Sequence, residues 1–260
     1  MGAESVSGQA VLRFCDVRFQ YASEAFSIID RLSFQIQRGE FVSVIGASGC
    51  GKSTIFRLVN QLLIPAEGEI LVDGLPIAGR RRYCGYMPQQ DLLFPWRTVA
   101  ENVRLPLEIQ RGRTQAEMNR LTEEALQSVG LFGQGAKAPR ELSGGMRQRA
   151  AFARTLLTGS ELLLLDEPFS ALDYLTRLSM REWLLKQWER ERKTVLFITH
   201  DVEEAVLLST RILAVATSPI RKLRSIEVPL PFPRTAASLQ RPEAAEPKEE
   251  LIRLLRKEPS

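Results

Sequence analysis

The segment Phe41-Val-Ser-Val-Ile-Gly-Ala-Ser-Gly-Cys-Gly-Lys-Ser-Thr54 is the part of the sequence most informative about the fold class. Its apolar half, residues 41–45, predicts a buried strand, and residues 46–54 fit the pattern G-x-x-x-x-G-K-[ST]. A helical run follows at 54–63 and ends before Pro65. This order of strand, glycine-rich loop and helix predicts a phosphate site, because glycines let backbone N–H groups approach phosphate oxygens and the helix start adds positive dipole.

The loop predicts a nucleoside triphosphate as ligand, together with Mg²⁺. Lys52 is expected to reach the β- and γ-phosphates, and Ser53 to offer its hydroxyl to Mg²⁺. We assign nucleotide contacts to every residue of the loop, namely Gly46, Ala47, Ser48, Gly49, Cys50, Gly51, Lys52, Ser53 and Thr54.

Outward from the loop, short apolar runs alternate with helical stretches, a pattern typical of an α/β core with parallel strands. The runs lie at 162–166, 195–199 and 212–215. Residues 97–140 instead follow helical spacing and predict an inserted helical subdomain. A further helix is predicted over 172–191, with its apolar stripe at Leu175, Leu178, Leu185 and Trp188.

Polar residues end two of the predicted strands. Asp166 and Glu167 follow Leu162-Leu-Leu-Leu, where buried acids are costly unless they bind something. We expect Asp166 to hold Mg²⁺ and Glu167 to polarise the attacking water. His200, the chain's one histidine, follows the strand at 195–199, at the edge where α/β folds place ligands. It is predicted to contact the γ-phosphate, with a structural histidine as the alternative.

The composition excludes several classes of protein. The 260 residues are 44% hydrophobic and 25% charged, which rules out collagen-like, mucin-like and wholly disordered chains. A net charge of +4 suits phosphate ligands or a nearby anionic membrane surface but is too small to indicate nucleic acid. Three cysteines without metal-type spacing favour a reducing compartment. Residues 1–10 lack a secretory signal, and no apolar run is long enough to span a bilayer.

The segment Leu142-Ser-Gly-Gly-Met-Arg-Gln-Arg149 is similar to the signature sequence of the ATP-binding cassette (ABC) ATPases. Residues 92–96, 169–177 and 200–205 further resemble the nitrate/sulfonate/taurine importers of that family. Ser143 is expected to cap a helix whose first glycines leave N–H groups uncovered, which builds a second anion site. One nucleotide cannot easily use both anion sites of one chain. We therefore expect a head-to-tail dimer that sandwiches ATP between the Lys52 loop of one subunit and residues 143–145 of the other.

The resemblance covers roughly residues 11–230 and assigns further site residues. Gln89 resembles the Q-loop glutamine, implying a catalytic role and a place on Mg²⁺ beside Ser53 and Asp166. Tyr21 resembles the aromatic residue that stacks on adenine, with a strand-edge aromatic as the alternative. The signature residues expected to contact ATP in the partner subunit are Leu142, Ser143, Gly144, Gly145, Met146, Arg147 and Gln148; the D-loop residues are Ser170, Ala171, Leu172 and Asp173.

The resemblance implies a P-loop NTPase core of mostly parallel sheet flanked by helices, with an antiparallel β subdomain and an inserted α-helical subdomain. We expect an ABC ATPase domain at 1–230, a helical insert at about 97–142, and a proline- and charge-rich tail at 231–260. The tail is predicted to be irregular or an accessory piece with one short helix at 248–257, and either to regulate or to be a solvated surface without a function. The tail includes Pro233-Arg234, a departure from the usual family pattern that we expect to make no contact with ATP.

The function implied is the ATP-hydrolysing subunit of an importer, at the cytoplasmic face of the inner membrane. Its expected partners are a second cassette, identical or related, two transmembrane permease subunits and, indirectly, an external solute-binding protein. Residues 92–96 are expected to border a permease groove or to form subdomain core. The alternatives are a soluble ABC ATPase without a permease and a cassette for a pyrimidine precursor of thiamine. A P-loop kinase or GTPase is disfavoured by the segment 143–145 and by the lack of an NKxD motif.

Overall fold

The computed structural model of the chain describes residues 10–256. These residues fall into two compact units: unit 1 lies within Met1–Arg81 and Trp188–Ser260, and unit 2 is Arg82–Gln187. The predicted absence of a secretory signal concerns residues 1–10, of which 1–9 lie outside the described part of the chain. The domain limits drawn from the sequence at 97, 142 and 230 stay predictions.

Unit 1 contains an antiparallel sheet near the start of the chain. Its strands have the order β2-β1-β4-β5. Their bounds are β1 (Ala10–Phe19), β2 (Ile29–Gln37), β4 (Glu67–Val72) and β5 (Leu75–Pro76). Leu12, Phe14 and Val17 of β1 are buried, and Phe14 stacks on Phe34 of β2 with ring centroids 4.5 Å apart. This sheet is the predicted antiparallel β subdomain.

A second sheet of unit 1 positions the glycine-rich loop. Its strands are β3 (Phe41–Gly46), β8 (Thr194–Ile198), β9 (Arg211–Val215) and β10 (Leu223–Glu227). The strand β3 lies between β8 and β9 and is parallel to both, whereas β10 pairs antiparallel with β9. Every residue of β3 and β8 is buried, as expected for parallel strands covered on both faces. The helices of unit 1 include α1 (Lys52–Val59), α6 (Val202–Leu208) and α7 (Pro242–Arg256).

Unit 2 combines two parallel strands with the predicted helical region. The strands are β6 (Cys84–Met87) and β7 (Leu162–Asp166). The helices are α2 (Val99–Gln110), α3 (Gln115–Ser128), α4 (Gly144–Leu156) and the start of α5 (Tyr174–Glu191). Capping boxes begin α2 and α3, at Thr98 with Glu101 and at Thr114 with Glu117. Each box satisfies two backbone N–H groups at a helix start, which fixes where the helix begins.

The predicted fold class is confirmed, while three local predictions were wrong. The helix after the loop begins at Lys52 and ends at Val59, earlier at both ends than the predicted 54–63. Leu175 is 72% exposed, and the buried stripe of α5 runs through Met180, Leu184, Leu185 and Trp188.

Within residues 10–256, no helix combines the length and apolar character needed to cross a membrane.

The third correction concerns the tail, for which the sequence predicted an irregular segment or an accessory piece with one short helix at 248–257. The described part forms a 3-10 helix, Ala236–Gln240, and the fifteen-residue helix α7. Ala244 and Leu251 of α7 are fully buried in a cluster with Ala205 and Val206 of α6. The described part of the tail is therefore folded as part of unit 1, with apolar residues buried against α6.

Candidate functional site

The glycine-rich loop of unit 1 joins β3 to α1 and depends on its glycines. Gly51 has φ +102°, and a Cβ there would lie 2.6 Å from Cγ2 of Ile28. A Cβ on Gly46 would lie 2.9 Å from both the Cys50 sulfur and Cβ of Val215. Gly49 has φ +77° but faces open space. The loop is thus tightly held at its two ends and open in the middle, which leaves room for a phosphate.

Lys52 lies inside this loop. Its side chain is buried, and Nζ donates hydrogen bonds to the carbonyls of Gly46, at 2.9 Å, and Ala47, at 2.8 Å. Gly51 offers no side chain to cap α1, and the first turn of the helix contains no acidic residue. A positive ammonium group and uncovered helix N–H groups therefore meet at one place, which suits an anion with several oxygens.

Tyr21 lies beside the start of α1. Its hydroxyl is 3.2 Å from Oγ1 of Thr54 and 3.4 Å from a guanidinium nitrogen of Arg57. The ring makes an edge contact with Phe19. The structure thus brings Tyr21 next to the last residue of the loop, and its role in stacking on adenine stays a prediction.

His200 follows β8 at the same edge of the sheet as the loop. Val44 pairs with Ile198, so Gly46 and His200 each lie two residues beyond a paired position. The flanking residues hold the segment: Asp201 accepts hydrogen bonds from the N–H groups of Glu203 and Glu204, at 2.8 and 3.1 Å, and caps α6. Thr199 Oγ1 donates to the buried carboxylate of Glu204 at 2.6 Å. These contacts fix the backbone on both sides of an exposed imidazole.

In unit 2, the ends of β6 and β7 bring Gln89 and Glu167 together. Met87 pairs with Leu165, so both residues lie two positions beyond a paired position. Gln89 Nε2 donates to Oε2 of Glu167 at 3.2 Å. Asp166, the residue before Glu167, is buried at the end of β7. Glu167 has φ +47°, an uncommon conformation for a residue with a side chain and one that recurs at functional sites.

The signature segment of unit 2 forms the predicted capped helix start. Ser143 is the N-cap of α4, and its hydroxyl accepts from the N–H of Met146 at 3.2 Å. The first turn contains two glycines and no acid. Arg147 donates to Leu142 O at 2.9 Å and to Asp91 Oδ2 at 3.0 Å. Gln148 donates to the carbonyl of Gln89 at 3.4 Å, which ties this helix to the Gln89 loop.

The D-loop joins the same group of residues. Ser170 donates to the carbonyl of Glu167 through both its N–H and its hydroxyl, at 3.2 and 3.0 Å. Leu172 is buried, and a Cβ on Gly145 would lie 3.2 Å from its Cδ2. Asp173 accepts from the N–H of Thr176, and hydrogen bonding by the side chain and then by the backbone of Thr176 lowers the pKa of the Asp173 carboxyl. Unit 2 therefore assembles the Gln89, Glu167, signature and D-loop residues.

An open pocket of about 410 Å³ lies among these segments of unit 2. Its lining residues are Gln89, Gln90, Asp91, Leu92, Gly144, Arg147, Gln148 and Ala171. Asp91 and Arg154 are contributors that the sequence did not single out: Arg154 donates to the carbonyls of Asp91 and Leu92 at 2.7 and 2.8 Å. Burial lowers the pKa of Arg154. The only sequence signal was the spacing of Arg147 and Arg154, two turns apart on one face of α4.

Residues 92–96 divide between core and surface. Leu93 is buried, whereas Leu92 and Trp96 are exposed, Trp96 by 77%. Trp96 stacks on Phe94 with ring centroids 5.0 Å apart. Asn102, fully buried in α2, accepts from the N–H of Phe94 and donates to its carbonyl. Burial of Leu93 fits the interpretation as subdomain core, whereas the permease groove stays a prediction. The loop presents Trp96 at the surface, supported by Phe94.

These features define the class of the protein as a P-loop nucleoside triphosphatase. They are a strand followed by a glycine-rich loop with a lysine and by a helix, together with an acid pair at the end of a parallel strand. Comparison with known proteins narrows this class. The model of the family described as "ABC transporter" matches residues 29–170. The formylaminopyrimidine import ATP-binding protein ThiZ of Halalkalibacterium halodurans is 46% identical over 219 residues, covering 84% of this chain and 85% of the relative.

Two further comparisons support the same family. The aliphatic sulfonates import ATP-binding protein SsuB of Bacillus cereus is 40% identical, covering 85% of this chain and 86% of the relative. A solved dimeric ATP-binding cassette in a post-hydrolysis state, bound to ADP and phosphate, matches with a TM-score of 0.77 and 30% identity, covering 83% of this chain and 98% of that one. The chain belongs to the ABC transporter family, as an importer-type subunit that binds and hydrolyses ATP.

Proposed function

We propose that two copies of the chain sandwich ATP, each nucleotide lying between the Lys52 loop of one copy and residues 143–145 of the other. The chain carries two uncapped or hydroxyl-capped helix starts without first-turn acids, at α1 and α4. Each suits an anion. The related cassette bound to ADP and phosphate is a dimer, which supports this arrangement. A sister cassette in place of the second copy is the alternative.

Within that sandwich we assign the chemical roles as follows. Glu167 takes the proton of the attacking water, Gln89 holds the carboxylate of Glu167 until the water arrives, and His200 contacts the γ-phosphate. Tyr21 stacks on adenine. Ser53, Asp166 and Gln89 offer a hydroxyl, a carboxylate and an amide oxygen, the donor types that Mg²⁺ prefers, and the bound ion would neutralise charge on the β- and γ-phosphates.

ATP-driven closure of this dimer would move two transmembrane permease subunits, with the cassettes at the cytoplasmic face of the inner membrane. The observation that carries this proposal is the exposed Trp96, stacked on the half-buried Phe94, whose backbone is held by the buried Asn102. Exposed aromatic residues on a rigid support are frequent hot spots of protein interfaces. We expect Trp96 to enter a groove beside a cytoplasmic helix of the permease.

For the solute, the relatives favour two classes. A formylaminopyrimidine importer subunit is 46% identical to this chain, and an aliphatic sulfonate importer subunit is 40% identical. We propose a pyrimidine as the transported solute and an organic sulfonate as the second candidate. The cassette itself has no contact with the solute in this scheme, so the choice depends on the permease and on the solute-binding protein.

The test is purification of the chain from its own cells in mild detergent, with identification of the co-purifying proteins by mass spectrometry. We expect a multi-span membrane protein to co-purify in comparable amount with the wild-type chain but not with the Trp96→Ala variant. The Phe132→Ala variant, a matched change at another exposed aromatic residue of unit 2, should still co-purify with it. Recovery of the cassette alone, or of soluble partners only, would instead favour a soluble ABC ATPase. Binding of pyrimidines and sulfonates to the associated solute-binding protein then separates the two solute classes.

A further inference from the structure

The C-terminal segment, defined here as residues 228–256, holds a buried cation. The side chain of Arg234 is 4% exposed. Its guanidinium carbon lies 3.9 Å above the ring of Phe232, which packs against Trp188 at 4.9 Å. Burial lowers the pKa of Arg234 to about 10 although the nearby carboxylate of Glu189 raises it, so the guanidinium is still charged at neutral pH. A buried charge is costly unless its donors are satisfied.

The donors of Arg234 are satisfied by the end of α6. Nη1 donates to the carbonyls of Val206 and Leu207, both at 3.2 Å, and of Ser209 at 2.7 Å. Carbonyls at a helix C-terminus have no partner within the helix, and the negative end of the helix dipole favours a cation there. The remaining nitrogens of the guanidinium bond to Leu230 O and Val228 O, which fixes the cation within its own segment.

Within unit 1, two sets of contacts connect Arg234 with the expected nucleotide site. Ser209, whose carbonyl accepts from Arg234, has its hydroxyl 2.5 Å from the hydroxyl of Ser43, and both are fully buried. Ser43 belongs to β3, three residues before the loop begins at Gly46. At its other end, α6 begins at the cap residue Asp201, directly after His200.

We propose that Arg234 is a positioning residue for ATP hydrolysis, which holds the C-terminus of α6 so that His200 keeps its place relative to the loop 46–54. Without Arg234, the short helix α6, seven residues long, would lose its fixed end. This inference rests on the role proposed above for His200 at the γ-phosphate.

The experiment is a double-mutant cycle on the full-length chain, with wild type, Arg234→Met, His200→Ala and the double variant. The turnover number at saturating ATP and the dissociation constant of ATP are measured for each. We expect Arg234→Met to lower kcat by up to about 100-fold, the loss that a misplacement on the order of 1 Å can cause, with the ATP dissociation constant unchanged. In the His200→Ala background, the loss of Arg234 should cost no further turnover.

The matched control is Arg224→Met. Arg224 also contacts the C-terminal segment, through an exposed ion pair with Glu250 of α7 at 3.0 Å, but lies away from the end of α6 in the hydrogen-bond network. Its turnover should equal that of the wild type. If Arg234→Met does not fold, Arg234→Lys replaces it in the same cycle, with a smaller loss of kcat that again disappears in the His200→Ala background.

Two outcomes would overturn the inference. If both single variants lower kcat and their losses multiply in the double variant, Arg234 acts independently of His200 and only stabilises the fold. An unchanged kcat in Arg234→Met would exclude any positioning role. A normal kcat in His200→Ala is a different result, because it removes the proposed role of His200 itself and the inference with it.

Discussion

The phosphate loop, residues 46–54, and the C-terminal segment contrast in how the sequence specifies them. The loop is nine consecutive residues whose conformation follows from local constraints, with glycines at positive φ and a helix that starts at Lys52. In the C-terminal segment, Arg234 bonds to carbonyls 25 to 28 positions away in the chain. Chemistry on phosphates thus depends on short segments, whereas the support of those segments depends on contacts between distant parts of the chain.

The substitution Glu167→Gln should change turnover most, and it tests whether hydrolysis depends on a residue of one short segment. The amide keeps the shape of the side chain but cannot take a proton, so turnover should fall by about 10²- to 10⁴-fold. ATP binding and closure of the dimer should persist, since neither needs the base. Steady-state hydrolysis, equilibrium binding of ATP and size-exclusion chromatography with ATP measure the three properties.

Glu161→Gln is the control for that change, because Glu161 is exposed and lies just before the other end of β7. It should hydrolyse ATP at the wild-type rate. Turnover of the Glu167→Gln protein within a factor of about two of wild type would remove Glu167 as the base, since general-base loss costs far more.

The next test compares two glycines of the loop. In Gly51→Ala, the added methyl group meets Ile28 at 2.6 Å and the residue must keep φ +102°. Left-handed backbone costs about 1–2 kcal/mol and overpacking about 1–3 kcal/mol, so the free energy of unfolding should fall by about 2–5 kcal/mol. Gly49→Ala meets only open space and should lose about 1–2 kcal/mol, the backbone cost alone.

Guanidinium chloride unfolding of both variants without nucleotide gives these two values. Equal losses at Gly49 and Gly51 would mean that the contact with the distant Ile28 relaxes freely, and the left-handed backbone alone would then determine the cost at both positions.

The C-terminal segment is tested by the stability of Arg234→Met, apart from its turnover. Hydrogen bonds to a charged group contribute about 1.5–3 kcal/mol in net terms, and the buried carbonyls at the end of α6 would be left unpaired, so we expect a loss of about 3 kcal/mol. Arg224→Met breaks only an exposed ion pair and should lose less than about 1 kcal/mol. Chemical denaturation compares the two, and equal losses would contradict the nonlocal role of Arg234.

The difference between local patterns and distant contacts also explains which features the sequence could predict. The loop, the acid pair, the capped helix at Ser143 and the fold class follow from contiguous patterns. The sequence also predicts Gln89 and Glu167 as site residues, and Nε2 of Gln89 lies 3.2 Å from Oε2 of Glu167. The apolar stripe of α5 was wrong at Leu175, because helical periodicity alone does not say which side of a helix meets the core. The tail was expected to be irregular or an accessory piece, since nothing adjacent to Arg234 indicates that α6 would bury it.

The contacts of unit 2 that the sequence did not predict also join residues that are distant in the chain. Asp91 and Arg154 are ordinary charged residues in the sequence, and their function appears only when α4 brings Arg147 and Arg154 to the Gln89 loop. The buried Asn102 was likewise unremarked, because an asparagine in a helix is usually a surface residue. Its hydrogen bonds to Phe94 need the loop and the helix together.

The smallest expected effect concerns the three cysteines, which offer a probe of the loop in the intact protein. Cys50 is half-buried in the phosphate loop, with its sulfur 3.9 Å from Nζ of Lys52. Burial raises the pKa of Cys84 to about 12, and burial also raises the pKa of Cys15. The thiolate is the form that reacts with alkylating agents, so Cys84 and Cys15 should react slowly at neutral pH.

We therefore expect a maleimide to label Cys50 first, to inhibit hydrolysis and to be blocked by ATP, because the adduct and the phosphates would occupy the same loop. Labelling at Cys84 and Cys15 should be slow and independent of ATP. Peptide mass spectrometry with and without nucleotide measures the labelling of each site, and Cys50→Ser should hydrolyse ATP normally after maleimide treatment. Equal labelling of Cys50 in both conditions would mean that its sulfur faces away from bound phosphate, and the open middle of the loop would then not be where the nucleotide lies.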